Sequence, residues 1–293
     1  MQKAASLTFG ADPEYALTET KDGKEYVLPP IFWEREKKLK PVIKDTKHPV
    51  YFTTDFGSRI MMDGVAFELT LPPVEEAKTM YANIVATLYI LKDFAMKVGA
   101  NLYTKPAAFF DYESLLLKRD EKFRQCVIFG CDPDMCVYEG NVPSQTIDVA
   151  THPYRYFGGH LHISGEPAIE KFPVPFVRLL TTTVGNYVVA YSPCPEIEKI
   201  RSFHYGRPGK YRIQHYPNGN VGVEFRTPSN SWTTNPEMME GVFNWAKIAA
   251  DLLVTPEVGK KVLKEMEDDS VDAITRFDVD KAKDNLDSIL QLI

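Results

Sequence analysis

Short runs in which apolar and polar residues alternate recur along the first three quarters of the chain, separated by longer runs with helical spacing. Ser6 to Thr18 reads as a strand interrupted at Gly10-Ala11-Asp12-Pro13-Glu14, where Pro13 has no N–H to donate and marks an edge or a bulge. Asp12 and Glu14 share one face of it by the strand period of two. Val50 to Thr53 is a short strand, and Asp63-Gly64 is a turn leading into a strand over 65–71. There Val65, Phe67, Leu69 and Leu71 share one face, and Glu68 lies on the other with Ala66 and Thr70. From Val74 to Val98 the positions Tyr81, Ile84, Val85, Leu88, Leu91, Ala95 and Val98 keep to one side of a helix, punctuated by Pro73 and Gly99.

Strand character returns over 101–110, and 111–125 is mixed with some helical character. Residues 126–138 hold a short apolar strand that runs into the acidic turn Asp132-Pro133-Asp134. Two glycines, Gly158 and Gly159, then precede His160-Leu161-His162-Ile163, which puts both imidazoles on one strand face and both aliphatic side chains on the other. Pro173 to Tyr191 predicts one long apolar helix. Asn218-Gly219-Asn220 predicts a hairpin turn delivering a strand over 222–227, with Val223 and Phe225 facing the core and Glu224 and Arg226 sharing the other face. Residues 235–293 read as helices, and residues 19–48, with Pro29-Pro30 and the charged run from Glu34 to Lys40, as a solvated loop. No internal repeat and no Pro/Gly/Ser linker divides the chain, which predicts a single α+β domain.

The 293 residues are 44% hydrophobic and 25% charged, enough to bury a large core. A net charge of −6 argues against duplex nucleic acid as a partner but leaves room for a local basic pocket. Cys126, Cys131 and Cys136 recur at a spacing that suits no common zinc pattern, so reduced thiols are expected. No run reaches membrane-spanning length and no signal-peptide core opens the chain, so a cytoplasmic protein is expected.

Four predicted strands share one description: Asp12/Glu14, Glu68, His160/His162 and Glu224/Arg226 each sit on a face whose reverse is apolar. A single antiparallel sheet would gather them on its concave side. Two carboxylates about 4 Å apart cost roughly 4 kcal/mol at an effective dielectric near 20, so such a group must be wet or hold cations. Oxygen donors with an imidazole and no thiolate suit Mg2+ or Mn2+. The most basic stretch, Arg201, His204, Arg207, Lys210, Arg212 and His215, would face them with guanidinium forks suited to phosphate oxygens. Divalent metals opposite arginines is the chemistry of phosphoryl transfer from a nucleotide.

The ordered set Asp12-Pro13-Glu14, Glu68 to Pro73, Gly158-Gly159-His160-Leu161-His162, Arg207 to Arg212 and Glu224-Phe225-Arg226 resembles the glutamine synthetase-like superfamily of carboxylate–amine ligases, most of all its phage-type COOH–NH2 ligases. The resemblance covers residues 6–255. It implies a curved, mostly antiparallel sheet with helices packed on its convex face, one catalytic domain, and a C-terminal helical extension over 236–293. It implies Asp12, Glu14, Glu68, His160 and Glu224 as metal ligands around ATP and Mg2+ or Mn2+. His162 is implied as a contact to nucleotide or acceptor, and Arg207, Arg212 and Arg226 as contacts to the phosphoryl group or substrate. The implied reaction is attack of a small-molecule or peptide carboxylate on ATP, giving an acyl phosphate that an amine converts to an amide. The implied setting is the cytoplasm, of a host cell if the protein is phage-encoded. The residues that bind ammonium and glutamate in glutamine synthetase have no counterparts here, and neither has its separate N-terminal domain. Asp132, Asp134 and Asp63 stand as either amine contacts or acidic turns. Three other readings use the same residues: a zinc-dependent amidohydrolase-type hydrolase, a phosphotransferase that stops before amide formation, and a non-catalytic binding protein.

Overall fold

The computed structural model describes residues 1–44, 48–111, 135–139, 152–217 and 219–293. Cys126, Cys131, Asp132 and Asp134 lie outside the described residues, as do the segment read as mixed over 112–125 and Asn218 of the expected hairpin turn.

Thirteen strands are described. They are β1 (Thr8–Ala11), β2 (Glu14–Lys21), β3 (Lys24–Leu28), β4 (Val50–Thr53), β5 (Arg59–Asp63), β6 (Ala66–Thr70) and β7 (Asn101–Tyr103). The rest are β8 (Ala107–Phe109), β9 (Met135–Cys136), β10 (Tyr154–Tyr156), β11 (Leu161–Ser164), β12 (Lys210–His215) and β13 (Val221–Phe225). The helices are α1 (Pro30–Arg35), α2 (Ala77–Val98), α3 (Pro167–Lys171), α4 (Pro173–Leu180), α5 (Asn186–Ala190), α6 (Pro195–Ser202), α7 (Pro236–Leu253), α8 (Pro256–Arg276) and α9 (Val279–Leu292).

The architecture is α+β, with two sheets rather than the single one expected from the strand faces. One runs β1-β11-β13-β12-β9 and is antiparallel throughout. The other runs β10-β8-β3-β2-β6-β5-β4, with β7 also on β2, and contains one parallel pair, β3 with β8. The chain changes sheets at Asp12-Pro13. Pro13 donates nothing, but its carbonyl accepts from Leu69 N at 3.0 Å, so β1 ends in the first sheet and β2 begins in the second.

Alternation sets the register of the first sheet. Leu161 pairs with Phe225 and Ile163 with Val223, all fully buried. On the opposite face Gly10, His162, Glu224 and Arg212 form one cross-strand row. The apolar face meets α3 and α4, and α7 lies beyond with Phe243 stacked on Phe9 at 4.1 Å between ring centroids. The core is continuous from both sheets through α2, α4, α7 and α8, so α7 belongs to its centre. In the second sheet Val65, Phe67, Leu69 and Leu71 are buried, as their alternation requires.

Several segments depart from the reading of the sequence, among them α1, which falls inside the expected solvated loop with Ile31 and Trp33 buried, and β12, which forms from the basic stretch. The stretch expected to be loop after residue 18 continues β2 to Lys21, turns at Asp22-Gly23 with φ of 49° and 72°, and returns as β3. Asp-Gly with positive φ at both positions is a hairpin signal hidden within a charged run. The long helix expected over 173–191 breaks into α4, a π-helical turn over Thr181–Gly185, and α5. Thr181, Thr182 and Thr183 each donate a hydroxyl to the carbonyl four residues back, which loosens the helix at that turn. No helix among the described residues is long and apolar enough to cross a membrane.

Because Phe243 is 1% exposed and stacked on Phe9, Phe243→Ala should destabilise the fold by about 3–5 kcal/mol. Urea unfolding followed by tryptophan fluorescence measures this, and a change under about 1 kcal/mol would contradict the packing described.

Candidate metal centre

The sheet change at Asp12-Pro13 brings the polar row of the first sheet against the acidic face of the second. Glu14 opens β2 and stands directly opposite Glu68 of β6. Glu68 in turn pairs across from Met61 of β5, two residues before Asp63. Like charges directly opposite across antiparallel strands are destabilising, so this placement needs a proton or a cation between them.

Two groups of three donors result. In one, a ligand atom each from Asp12, His162 and Glu224 lie within 4.8 Å of one another; in the other, from Glu14, Asp63 and Glu68. His162 Nε2 is 3.2 Å from Asp12 Oδ2, and its Nδ1 is 3.1 Å from the Tyr216 hydroxyl. His160 Nδ1 is 3.3 Å from Asp12 Oδ1 and 3.4 Å from Glu224 Oε1. Arg226 Nη1 bonds Glu224 Oε1 and lies 3.0 Å from His160 Nδ1. His160 Nε2 lies 3.1 Å from the Tyr205 hydroxyl. Asp12 Oδ1 is buried and makes no well-formed hydrogen bond among the described residues, its nearest ring nitrogen, His160 Nδ1, standing 3.3 Å away. A buried carboxylate oxygen with no well-formed hydrogen bond, inside a ring of carboxylates, fits a divalent cation. The donor set, five carboxylates and two imidazoles without thiolate, fits Mg2+ or Mn2+.

The electrostatics follow from this crowding. Burial, then Asp63, push the Glu14 carboxyl up to about 8, against the Gly158 N–H that it accepts at 2.7 Å. Burial, Asp12 and Asp63 raise Glu68 well above the carboxylate range as well. Glu224 goes the other way: burial would raise it, but Arg226 holds it down. Burial and Arg226 lower His160, whereas for His162 burial lowers it but the charge and hydrogen bond of Asp12 together with Glu224 raise it overall.

The backbone around the histidines is positioned by close approach. Gly158 exchanges hydrogen bonds with Glu14, and a Cβ on Gly159 would fall 2.2 Å from the Ser229 carbonyl oxygen. Asn230 Nδ2 donates to Glu14 O and Trp232 Nε1 to Gly159 O, both at 2.7 Å. The loop after β13 thus locks the two halves of the centre together.

Of the residues singled out in the sequence, Asp12, Glu14, Glu68, His160, His162, Glu224 and Arg226 come together here. Arg212 stands at the edge, its Nη1 3.8 Å from Glu224 Oε1. Arg207 does not join them: its guanidinium pairs with Glu139 at 3.0 Å, and its carbonyl takes the Thr227 hydroxyl. The basic stretch is dispersed, because Arg201 turns into the interior and His204 packs with His152 and Tyr156. Glu68 reaches the centre from the second sheet, not from a shared one. Asp63 proves to be part of the acidic group, signalled by its place two residues from Met61 on the strand opposite Glu68. Gln214, whose Nε2 donates to Glu224 Oε2, was missed with Tyr205 and Tyr216; recognising β12 as a strand puts Gln214 on the face of Arg212.

Two outcomes are expected. Between pH 4.5 and 8 the native state holds a proton on Glu14 that the unfolded chain has lost, so in the absence of metal this group makes stability fall as pH rises through that window. A bound divalent cation requires the ionised form, so Mg2+ should raise the melting temperature more at pH 8 than at pH 6; thermal melts with and without Mg2+ decide it. Gly159→Ala should cost about 1–3 kcal/mol in urea unfolding, since the clash is with backbone and not with a movable side chain.

No protein-family model matches this chain, and no curated protein matches it.

Proposed function

We propose that this chain is an ATP- and Mg2+-dependent carboxylate–amine ligase that joins a small-molecule or peptide carboxylate to an amine, acting in the cytoplasm where ATP is supplied. The observation that carries the reading is the pair of three-donor groups, Asp12–His162–Glu224 and Glu14–Asp63–Glu68, side by side with Arg226 among them and Arg212 at the edge. Its motif order resembles that of the glutamine synthetase-like superfamily, the phage-type COOH–NH2 ligases among them.

Cations held there would neutralise the phosphate oxygens of a nucleotide and the charge that develops during transfer. The chain's own part is positional. Arg226 is fixed by Glu224, His160 and Tyr205, and so presents a cation whose direction is set before any ligand arrives. Arg212, at the edge with its side chain 25% exposed, suits an incoming phosphoryl group. Transfer of the γ-phosphoryl group to a substrate carboxylate turns a poor acyl donor into an acyl phosphate, which the amine attacks with loss of phosphate. Arg207 has no part in the proposal because Glu139 takes its guanidinium.

The zinc-hydrolase reading gains nothing from the fold. It needs metal-binding histidines on repeated parallel βα units, whereas β3 with β8 is the one parallel pair among the described strands. His152 and His204 meet each other, apart from the carboxylates.

The test is a screen for ATP hydrolysis to ADP across pools of acids and amines, with mass spectrometry of the condensed product. Glu68→Ala and Glu224→Ala should each reduce nucleotide turnover by more than about a hundredfold while the far-ultraviolet dichroism is unchanged. Wild-type turnover by both variants with a competent substrate pair would overturn the assignment.

A further inference from the structure

Helix α6 carries two charged residues that touch none of the candidate ligands, yet both are sunk in the interior: Glu198 is 4% exposed and Arg201 is 2% exposed. Burying charge is costly, and an apolar pair would hold a helix against the core as well or better. What these two residues do instead is grip the loop that follows β13. Glu198 Oε1 accepts from the Ser229 hydroxyl and, at 2.5 Å, from the Ser231 hydroxyl. Arg201 spreads its fork over two successive carbonyls, Nη1 to Thr227 O at 3.2 Å and Nη2 to Pro228 O at 3.1 Å. The same guanidinium lies 4.9 Å from the centroid of the Tyr205 ring.

Every element so held leads directly into the metal centre. Thr227 follows Arg226. The Pro228 carbonyl accepts from Gly159 N at 3.2 Å, one residue before His160. Asn230, between the two gripped serines, donates to Glu14 O. Tyr205 contacts His160 Nε2, and Arg226 Nη2 donates to its hydroxyl at 3.2 Å. The loop is therefore pinned on one side by α6 and on the other by the ligand-bearing backbone, with no charged group of α6 reaching a ligand atom.

We infer that Glu198 and Arg201 are positioning residues of the metal centre, acting through the 227–231 loop and Tyr205 to set Glu14, His160 and Arg226. The inference rests on the metal-binding reading above. Their polar heads fix the loop by direction as well as by packing: two hydroxyls converge on one carboxylate oxygen, and two carbonyls receive one planar fork. Outer partners of this kind hold ligands in orientation, and their loss weakens metal affinity by about 10–100-fold in general.

The experiment is a Mn2+ titration of the full-length protein by calorimetry and by electron paramagnetic resonance, each with a thermal melt. Glu198→Ala should weaken Mn2+ binding at least about tenfold, and Arg201→Lys, which keeps the charge but loses the fork, should do the same. Glu198→Gln retains an oxygen that accepts both hydroxyls and should bind within about threefold of wild type. Val189→Ala, which trims a buried side chain lining the same cavity as Glu198 and Arg201, should lower the melting temperature and leave Mn2+ affinity unchanged. Wild-type affinity in Arg201→Lys and in Glu198→Ala, or in Arg201→Lys alone should Glu198→Ala not fold, or an equal loss in Val189→Ala, would overturn the inference. A wild-type protein that binds no Mn2+ would instead overturn the metal-binding reading itself.

Discussion

Negative charge forced together at a sheet boundary is the constraint on which this structure turns. Glu14 and Glu68 face each other across paired strands, and Asp12, Asp63 and Glu224 crowd the same space. Two carboxylates at such separations repel by roughly 4 kcal/mol even at a dielectric near 20. The chain answers in three ways. Arg226 inserts its guanidinium against Glu224, the Glu14 and Glu68 carboxyls retain protons to higher pH, and Asp12 keeps a buried oxygen with no well-formed hydrogen bond among the described residues. Only the last of these leaves an unmet demand, and a divalent cation is the simplest species that meets it.

Pro13 makes the crowding geometrically possible. A continuous strand through Asp12 and Glu14 would place both on one sheet face. With no N–H at position 13 and its carbonyl taken by Leu69, the chain leaves one sheet and enters another within two residues. Asp12 thereby joins His162 and Glu224, while Glu14 joins Asp63 and Glu68. One proline separates two donor groups that are adjacent in space but built on different hydrogen-bond ladders.

Rigidity comes from the loop between β13 and α7. It ties Gly159, Glu14 and Arg226 to one another through backbone and amide contacts, and α6 anchors it from behind. The helices at the end of the chain contribute through the core: α7 places Phe243 on Phe9 of β1, the strand that leads into Asp12. A centre with this much internal repulsion needs such a frame, since any loosening would let the carboxylates move apart into water.

Alternation alone was enough to identify the strands and faces that carry His162, Glu68 and Glu224, because side-chain direction in a strand is a local property with a period of two, whereas His160 and Arg226 lie just beyond the ends of β11 and β13. Composition and motif order were enough to suggest oxygen-rich metal chemistry. Other features were not legible. Arg207 and Arg212 are five residues apart in one basic run, yet one pairs with Glu139 on the surface and the other reaches Glu224. Gln214, Tyr205 and Tyr216 carry no motif at all. The number of sheets, the side of the boundary on which each carboxylate falls, and the burial of Glu198 and Arg201 depend on strand pairings and helix contacts between residues far apart in the chain. The sequence by itself determined which way Glu68, His162 and Glu224 point along their own strands; only the tertiary structure decided which strands meet, and hence that these charges share one space.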